Sequence, residues 1–412
     1  DFDNDTAGIT VQVIGTSNSD IVSASYGNST QSVQLNTQAV ERLDIALANG
    51  AVTTFDMSLV TDLTTINVTD NSSETAIFNS LGTGVTVDYT TANGTASALT
   101  LAQTDVSGAS DSQTLIAAAA NADDNLALTM VDIETLNVSS DTADQVDLEL
   151  ANVSMTASGA TTAVNVTGTN DIELVSTNAD INIINASTMG TGGAVVQTGR
   201  SRTDSVTYTG SSGADTFIMV NTADALTGGS GSDTLDINKA AILGGLNVDL
   251  SNTTDQIVSF NGSATSGSAL GFESVLADGY TGSFGAQLTG ASTANTLTGT
   301  ANADVIDGAA GNDTITGGGG NDTMSSASGT NSFTGGAGAD AITLGSGTDT
   351  VVRNGDASTD GYDTVTSFTV GASNDLIDFT TNGALVGGIA VTAFASGTVG
   401  NIGATVGFQV FS

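Results

Sequence analysis

Between residues 282 and 352 a large apolar side chain recurs every nine positions: Leu288, Leu297, Ile306, Ile315, Met324, Phe333, Ile342 and Val351. Two residues before each stands an acid or its amide, in Asn295, Asp304, Asp313, Asp322, Asn331, Asp340 and Asp349, with Ala286 the exception. Glycines crowd the front of the units, as Gly308 and Gly311, then Gly317, Gly318 and Gly320, then Gly335, Gly336 and Gly338. Six glycine-rich residues suit a tight turn whose backbone most side chains disfavour, and three residues suit a short strand that points one side chain inward. Two such units close one coil, so each turn stacks on the turn eighteen residues later. The stacked pairs expected are Asp304 with Asp322, Asp313 with Asn331, Asp322 with Asp340, and Asn331 with Asp349. Asp349 is thereby expected to have a partner on one side only.

A shorter run uses the same grammar. Phe217, Leu226 and Leu235 lie nine apart, Asp215, Asp224 and Asp233 precede them by two, and Gly228, Gly229 and Gly231 open the last unit. Only Asp215 and Asp233 are eighteen apart, which predicts one good site there and a partial one.

The first 200 residues alternate apolar and polar positions in short runs, such as Val85, Val87 and Tyr89, or Val146, Leu148 and Leu150. Period two over such lengths, punctuated by Gly, Asn, Asp and Ser, predicts many short strands. The exception is the alanine cluster at about 113–131, which predicts a helix. The segments VERLDIA (Val40–Ala46), LTTINVT (Leu63–Thr69), IETLNVS (Ile133–Ser139) and FESVLA (Phe272–Ala277) resemble one another. Either a Thr/Val-rich composition produces that likeness, or each segment is a rung in a stacked coil of parallel strands.

Composition narrows the chemistry. The 412 residues include 44 acids against five bases, a formal net charge of −39, and no Pro, Cys, His or Trp. Such a field repels nucleic acid and anionic membranes and attracts cations. Without cysteine there are no disulfides or thiolate metal sites, and without histidine no zinc protease of the His-Glu-x-x-His kind. The acids are mostly Asp, whose short carboxylate suits turns and oxygen-ligand cation sites. No run of about 18 apolar residues predicts a membrane span, and no charged and apolar leader opens the chain.

The units Gly308–Thr316, Gly317–Ser325 and Gly335–Thr343 resemble the nonapeptide G-G-x-G-x-D-x-U-x of RTX proteins, a resemblance carried by roughly 205–412. It implies an all-β chain: a parallel β-solenoid or β-roll with calcium-binding turns, preceded by a Thr/Val-rich, solenoid-like β region. The boundaries expected are 1–205 for that region, 206–240 for a short roll, 241–281 for a β connector, 282–352 for the main roll and 353–412 for the cap. Carboxylates of stacked turns, with turn carbonyls, would enclose several Ca²⁺ ions, each in about six oxygens. The positions expected to bind are Asp304, Asp313, Asp322, Asn331, Asp340 and Asp349, with Gly308, Gly311, Gly317, Gly318, Gly320, Gly335, Gly336 and Gly338. Asp215, Asp224 and Asp233 with Gly228, Gly229 and Gly231 are expected to bind in the shorter run. Positions holding Asn should bind more weakly.

The stretch Tyr362–Thr380 looks like the segment that closes such rolls. There Asp363, Asp375 and Asp378, with Asp360, either add a calcium site or form a solvated loop. The uncharged tail through Phe408, Val410, Phe411 and Ser412 is, by the same resemblance, where a type I secretion signal would lie. Thr/Ala/Val-rich strands that feed into RTX turns, with hardly any Lys, are similar to calcium-dependent bacterial S-layer proteins. That implies a secreted, non-enzymatic protein that assembles with copies of itself at the cell surface, with cell-surface polysaccharide as a partner by analogy alone. An adhesin or biofilm-matrix protein is the alternative. A lyase or epimerase built on Arg200, Arg202 and Tyr208 is a third reading.

Overall fold

The computed structural model describes residues 9–352, apart from intervening stretches none longer than residues 140–147, and then residues 363–369, 375–378 and 389–391. Every regular element among the described residues is a β-strand, and the chain divides into two compact units. One comprises Asp1–Phe217 with Gly229–Gly231, the other Ile218–Gly228 with Ser232–Ser412.

The first unit is a solenoid of parallel strands. In one stack Val33, Phe55, Phe78, Leu101 and Met130 pair in succession, and in the other Leu43, Ile66, Val87, Leu115, Val138 and Val166 do so. Period two decides which side chains enter the core. On Arg42–Ala48 the residues Leu43, Ile45 and Leu47 are buried while Arg42, Asp44 and Ala46 are not. Like residues stack on like, and the rings of Phe55 and Phe78 lie 4.9 Å apart and nearly parallel. With no proline anywhere in the chain, no rung loses a ladder donor.

The helix expected over 113–131 is not found in the described residues of that span, 119–124 lying outside them. Ser112–Ala118 and Asn125–Val131 are strands, with Gln113 and Leu115 inward on the first and Leu126, Leu128 and Met130 inward on the second. Alanine's helix preference is worth a few tenths of a kcal/mol per residue, on the order of less than one backbone hydrogen bond gained on a rung. Rungs on both sides supply those bonds: Leu115 pairs with Val87 and with Val138.

The self-similar segments are rungs, and a shared corner explains three of them. Glu41, Glu134 and Glu273 each accept a hydrogen bond at 2.8 Å from the backbone N–H of an aspartate one rung earlier, namely Asp20, Asp111 and Asp233. Each Glu N–H donates back to the carbonyl of that same aspartate. The residue before each Glu, Val40, Ile133 or Phe272, is buried. In the fourth segment Thr64 replaces Glu and donates its N–H and its hydroxyl to the Glu41 carbonyl, both at 2.9 Å.

The main roll, in the second unit, is built on eighteen-residue coils. Leu288, Ile306, Met324, Ile342 and Val365 form one apolar column, and Leu297, Ile315, Phe333, Val351 and Ile377 the other. All eight side chains of the nine-residue register are at most 1% exposed. The columns begin before 282, since Val248 pairs with Leu288 and Val275 with Leu297. The one antiparallel pairing among the described residues joins Leu246–Asp249 to Ile257–Phe260.

Candidate metal centre

The acids of the register stand in two ladders along the edges of the roll. Asp304 N–H donates to Asp322 Oδ1 at 2.8 Å, Asp322 N–H to Asp340 Oδ1 at 2.9 Å, and Asp340 N–H to Asp363 Oδ1 at 3.1 Å. On the other edge Asn295 N–H donates to Asp313 Oδ1 at 3.0 Å, Asp313 N–H to Asn331 Oδ1 at 2.9 Å, and Asn331 N–H to Asp349 Oδ1 at 3.0 Å. Asp349 N–H continues to Asp375 Oδ1 at 2.9 Å. Every stacked pair expected from the register is therefore in contact. The one-sided position expected for Asp349 is corrected, because the closing segment adds Asp375 as the next rung.

One oxygen of each carboxylate thus ties two rungs together, and the other faces the glycine-rich turn. A Cβ on Gly317 would fall 2.3 Å from Asp322 Oδ2 and 2.4 Å from the carbonyl oxygen of Gly335. Oxygens of two stacked turns converge there, and only glycine leaves the space. Gly308 and Gly335 have the same relation to Asp313 Oδ2 and Asp340 Oδ2, at 2.6 and 2.2 Å. Gly318 and Gly336 carry φ of 104° and 102°, and Gly311, Gly320 and Gly338 are also left-handed. Two asparagines the register argument passed over, Asn312 and Asn321, accept from the N–H of Thr330 and Ala339, eighteen residues on.

Burial of these acids without a counter-charge is costly. Asp322 is 1% exposed, and its Oδ2 has no hydrogen-bond partner. Its pKa is pushed up to about 7, chiefly by burial and further by the charges of Asp304, Asp340 and Asp363, against the N–H of Asp304. Burial likewise raises Asp304, Asp313 and Asp349. Among the described residues no three of His, Cys, Asp and Glu gather at one point, so a cation here would draw carbonyl as well as carboxylate oxygens. An all-oxygen donor set with an orphaned buried carboxylate oxygen fits a hard divalent cation.

Family comparison matches the RTX calcium-binding nonapeptide repeat, in four copies, at residues 220–236, 289–324 and 325–359. The roll is made of RTX calcium-binding repeats. The matched segments cover less than a quarter of the chain. Ca²⁺ is accordingly the ion these turns take, and the RTX register and the carboxylate ladders coincide. Comparison with curated proteins gives no match.

The remaining expected positions lie as follows. Asp215, in the first unit, is fully buried and takes the N–H of Ser211 on Oδ2 at 2.6 Å and the Ser211 hydroxyl at 3.0 Å. Asp224 and Asp233, in the second unit, are fully buried. A Cβ on Gly228 would fall 2.6 Å from Asp233 Oδ2, and Gly229 and Gly231 are left-handed. Asp363 and Asp375 are buried and carry the two ladders onward, whereas Asp378 ends its strand outside them and is half-buried. Asp360, Arg200, Arg202 and the tail Phe408–Ser412 lie outside the described residues. Tyr208 is fully buried, with its ring centroid 3.9 Å from that of Phe217.

Proposed function

We propose that this is a secreted surface-layer protein in which Ca²⁺ both orders the roll and permits assembly with further copies of the same chain. The supporting observation is the charge of the surface. Among the described residues Arg42 is the one base, and it is held by Asp44 at 2.7 Å. Two copies that meet bring acid toward acid, and a divalent cation is what removes the repulsion. RTX repeats are typical of secreted proteins, which agrees with an extracellular place and with the calcium available there. Asp322, Asp313 and Asp340 are the leading ligands, supported by their place beside the glycine cradles. Asn331 is the weak position, since an amide replaces a charge.

The role is structural. Tyr208, the side chain a lyase reading would use, is packed against Phe217 and closed to a polysaccharide. The test is negative-stain microscopy during calcium titration: ordered two-dimensional sheets are expected above the folding midpoint. Monodisperse particles at high calcium and high protein concentration refute assembly, and fibres in place of sheets favour a matrix or adhesin role.

A further inference from the structure

The turns of the roll are not equivalent, and the residue after the first position of each turn makes the difference. In the turn that leads to Asp304 that residue is Thr300. Its N–H donates to Asp304 Oδ2 at 2.7 Å and its hydroxyl to Oδ1 at 2.9 Å, while Ala286 N–H donates to Oδ1 as well. The carboxylate is closed by its own turn, with donors on both oxygens. Two more turns close in this way: Ala291 N–H on Asn295 Oδ1 at 2.7 Å and Ser211 N–H on Asp215 Oδ2 at 2.6 Å.

In the turn that leads to Asp322 the same position is Gly318, at a φ of 104°. The left-handed backbone takes the amide away from the acid, and Asp322 Oδ2 is left buried without a donor. Ala309 stands at this position before Asp313, with a φ of 62°, and Asp313 Oδ2 takes only the Ser326 hydroxyl, at 3.3 Å. Backbone hand and carboxylate satisfaction change together at these turns; Asp349 departs from the rule, its Oδ2 buried without a donor although Gly345 is not left-handed.

We propose that calcium enters the turns whose second residue is left-handed, and that the turns closed by their own amide, at Asp215, Asn295 and Asp304, fold without metal. The start of the main roll, through Asp304, is then a metal-independent platform. Calcium orders the turns stacked on it, beginning at Asp313 and Asp322. This refines the ligand set expected from sequence, in which Asp304 and Asp322 were alike, and it rests on calcium binding by the roll.

The experiment counts bound ions on the full chain by native mass spectrometry and calorimetric titration, with circular dichroism at saturating Ca²⁺ to verify folding. Asp304→Asn is expected to leave the ion count unchanged, at some loss of stability, because Nδ2 cannot accept and one of the two acceptors that close the turn is removed. Asp322→Asn is expected to lose at least one ion. Thr300→Gly removes the hydroxyl and frees the backbone, and is expected to add one ion. Equal losses in Asp304→Asn and Asp322→Asn overturn the proposal, as does an unchanged count in Thr300→Gly. A wild-type chain that binds no Ca²⁺ refutes calcium binding by the roll itself, a different result from either. If Asp322→Asn does not fold, the other two variants decide, since both are read against the wild-type count.

Discussion

Replacing Asp322 by Asn should stabilise the calcium-free protein, although it removes a calcium ligand. The carboxylate is 1% exposed, and its folded pKa is about 7 against an ordinary value of 3.8. At about 1.4 kcal/mol per unit, three units set an upper bound near 4 kcal/mol on what the ionised group costs the fold. Reorganisation of the surrounding dipoles offsets part of this, which leaves roughly 2–3 kcal/mol. The sign follows from linkage. A carboxylate whose folded pKa lies above its unfolded one favours the fold when protonated, so its contribution is full below about pH 4 and is lost as pH rises through 7. Asparagine keeps an Oδ1 for the Asp304 N–H and carries no charge at any pH. The assay is urea unfolding of metal-stripped protein, followed by circular dichroism at pH 5 and pH 8. Asp322→Asn should exceed wild type by about 2–3 kcal/mol at pH 8 and by under half of that at pH 5. In saturating Ca²⁺ the order should reverse. A variant less stable than wild type at pH 8 without calcium, or a gap that does not vary with pH, refutes the reasoning.

Three further outcomes follow from the same geometry. Phe333→Ala, which empties the fully buried centre of a column between Ile315 and Val351, should cost about 3–5 kcal/mol in calcium-saturated unfolding. Gly318→Ala places a Cβ 2.2 Å from the Thr300 carbonyl at a φ of 104° and should raise the calcium midpoint, as read by circular dichroism, with a strain of about 1–3 kcal/mol. Glu134→Ala should destabilise the first unit by about 1.5–3 kcal/mol with or without calcium, and Glu134→Gln by less, checked by hydrogen exchange at Asp111 and its neighbours.

Much of the roll was legible because each nine-residue unit carries its own instructions. The apolar residue names the inward position, the acid two places earlier names the corner, and glycine names the turn. That is why the eighteen-residue stacking, the buried columns and the Asp304–Asp322–Asp340 ladder all appear as expected. What was hidden depended on partners distant in sequence. Asp363 and Asp375 join the ladders across gaps of 23 and 26 residues, where the period of eighteen fails. The alanines at 113–131 suggested a helix because single-residue preference cannot see the rungs on either side. Thr300 and Gly318 differ in a backbone dihedral that the repeat pattern treats as noise, yet that dihedral decides whether a carboxylate oxygen is free.

The two units solve one mechanical problem in two ways. A parallel coil must hold each corner to the next, since strands of two to nine residues give few ladder bonds per rung. In the eighteen-residue coil the corner is an aspartate that accepts the N–H of the aspartate one coil earlier, and the turn has shrunk until only glycine fits beside the carboxylate. The second oxygen is then trapped next to carbonyls, where charge is costly and a cation is the remedy. In the first unit the aspartate N–H of Asp20 or Asp111 is met by a glutamate from the following rung, which is 21 or 23 residues on. The extra methylene reaches across a wider corner, and the glutamate's own N–H returns a bond to the aspartate carbonyl, so the corner closes reciprocally. Asp233 shows the two solutions meeting within one residue: its carboxylate faces Gly228 in nonapeptide fashion, and its N–H is held by Glu273. Calcium dependence therefore belongs to the tight, glycine-built corner and not to parallel stacking as such, and chelation should loosen the second unit's roll at concentrations that leave the glutamate-held rungs of the first unit paired.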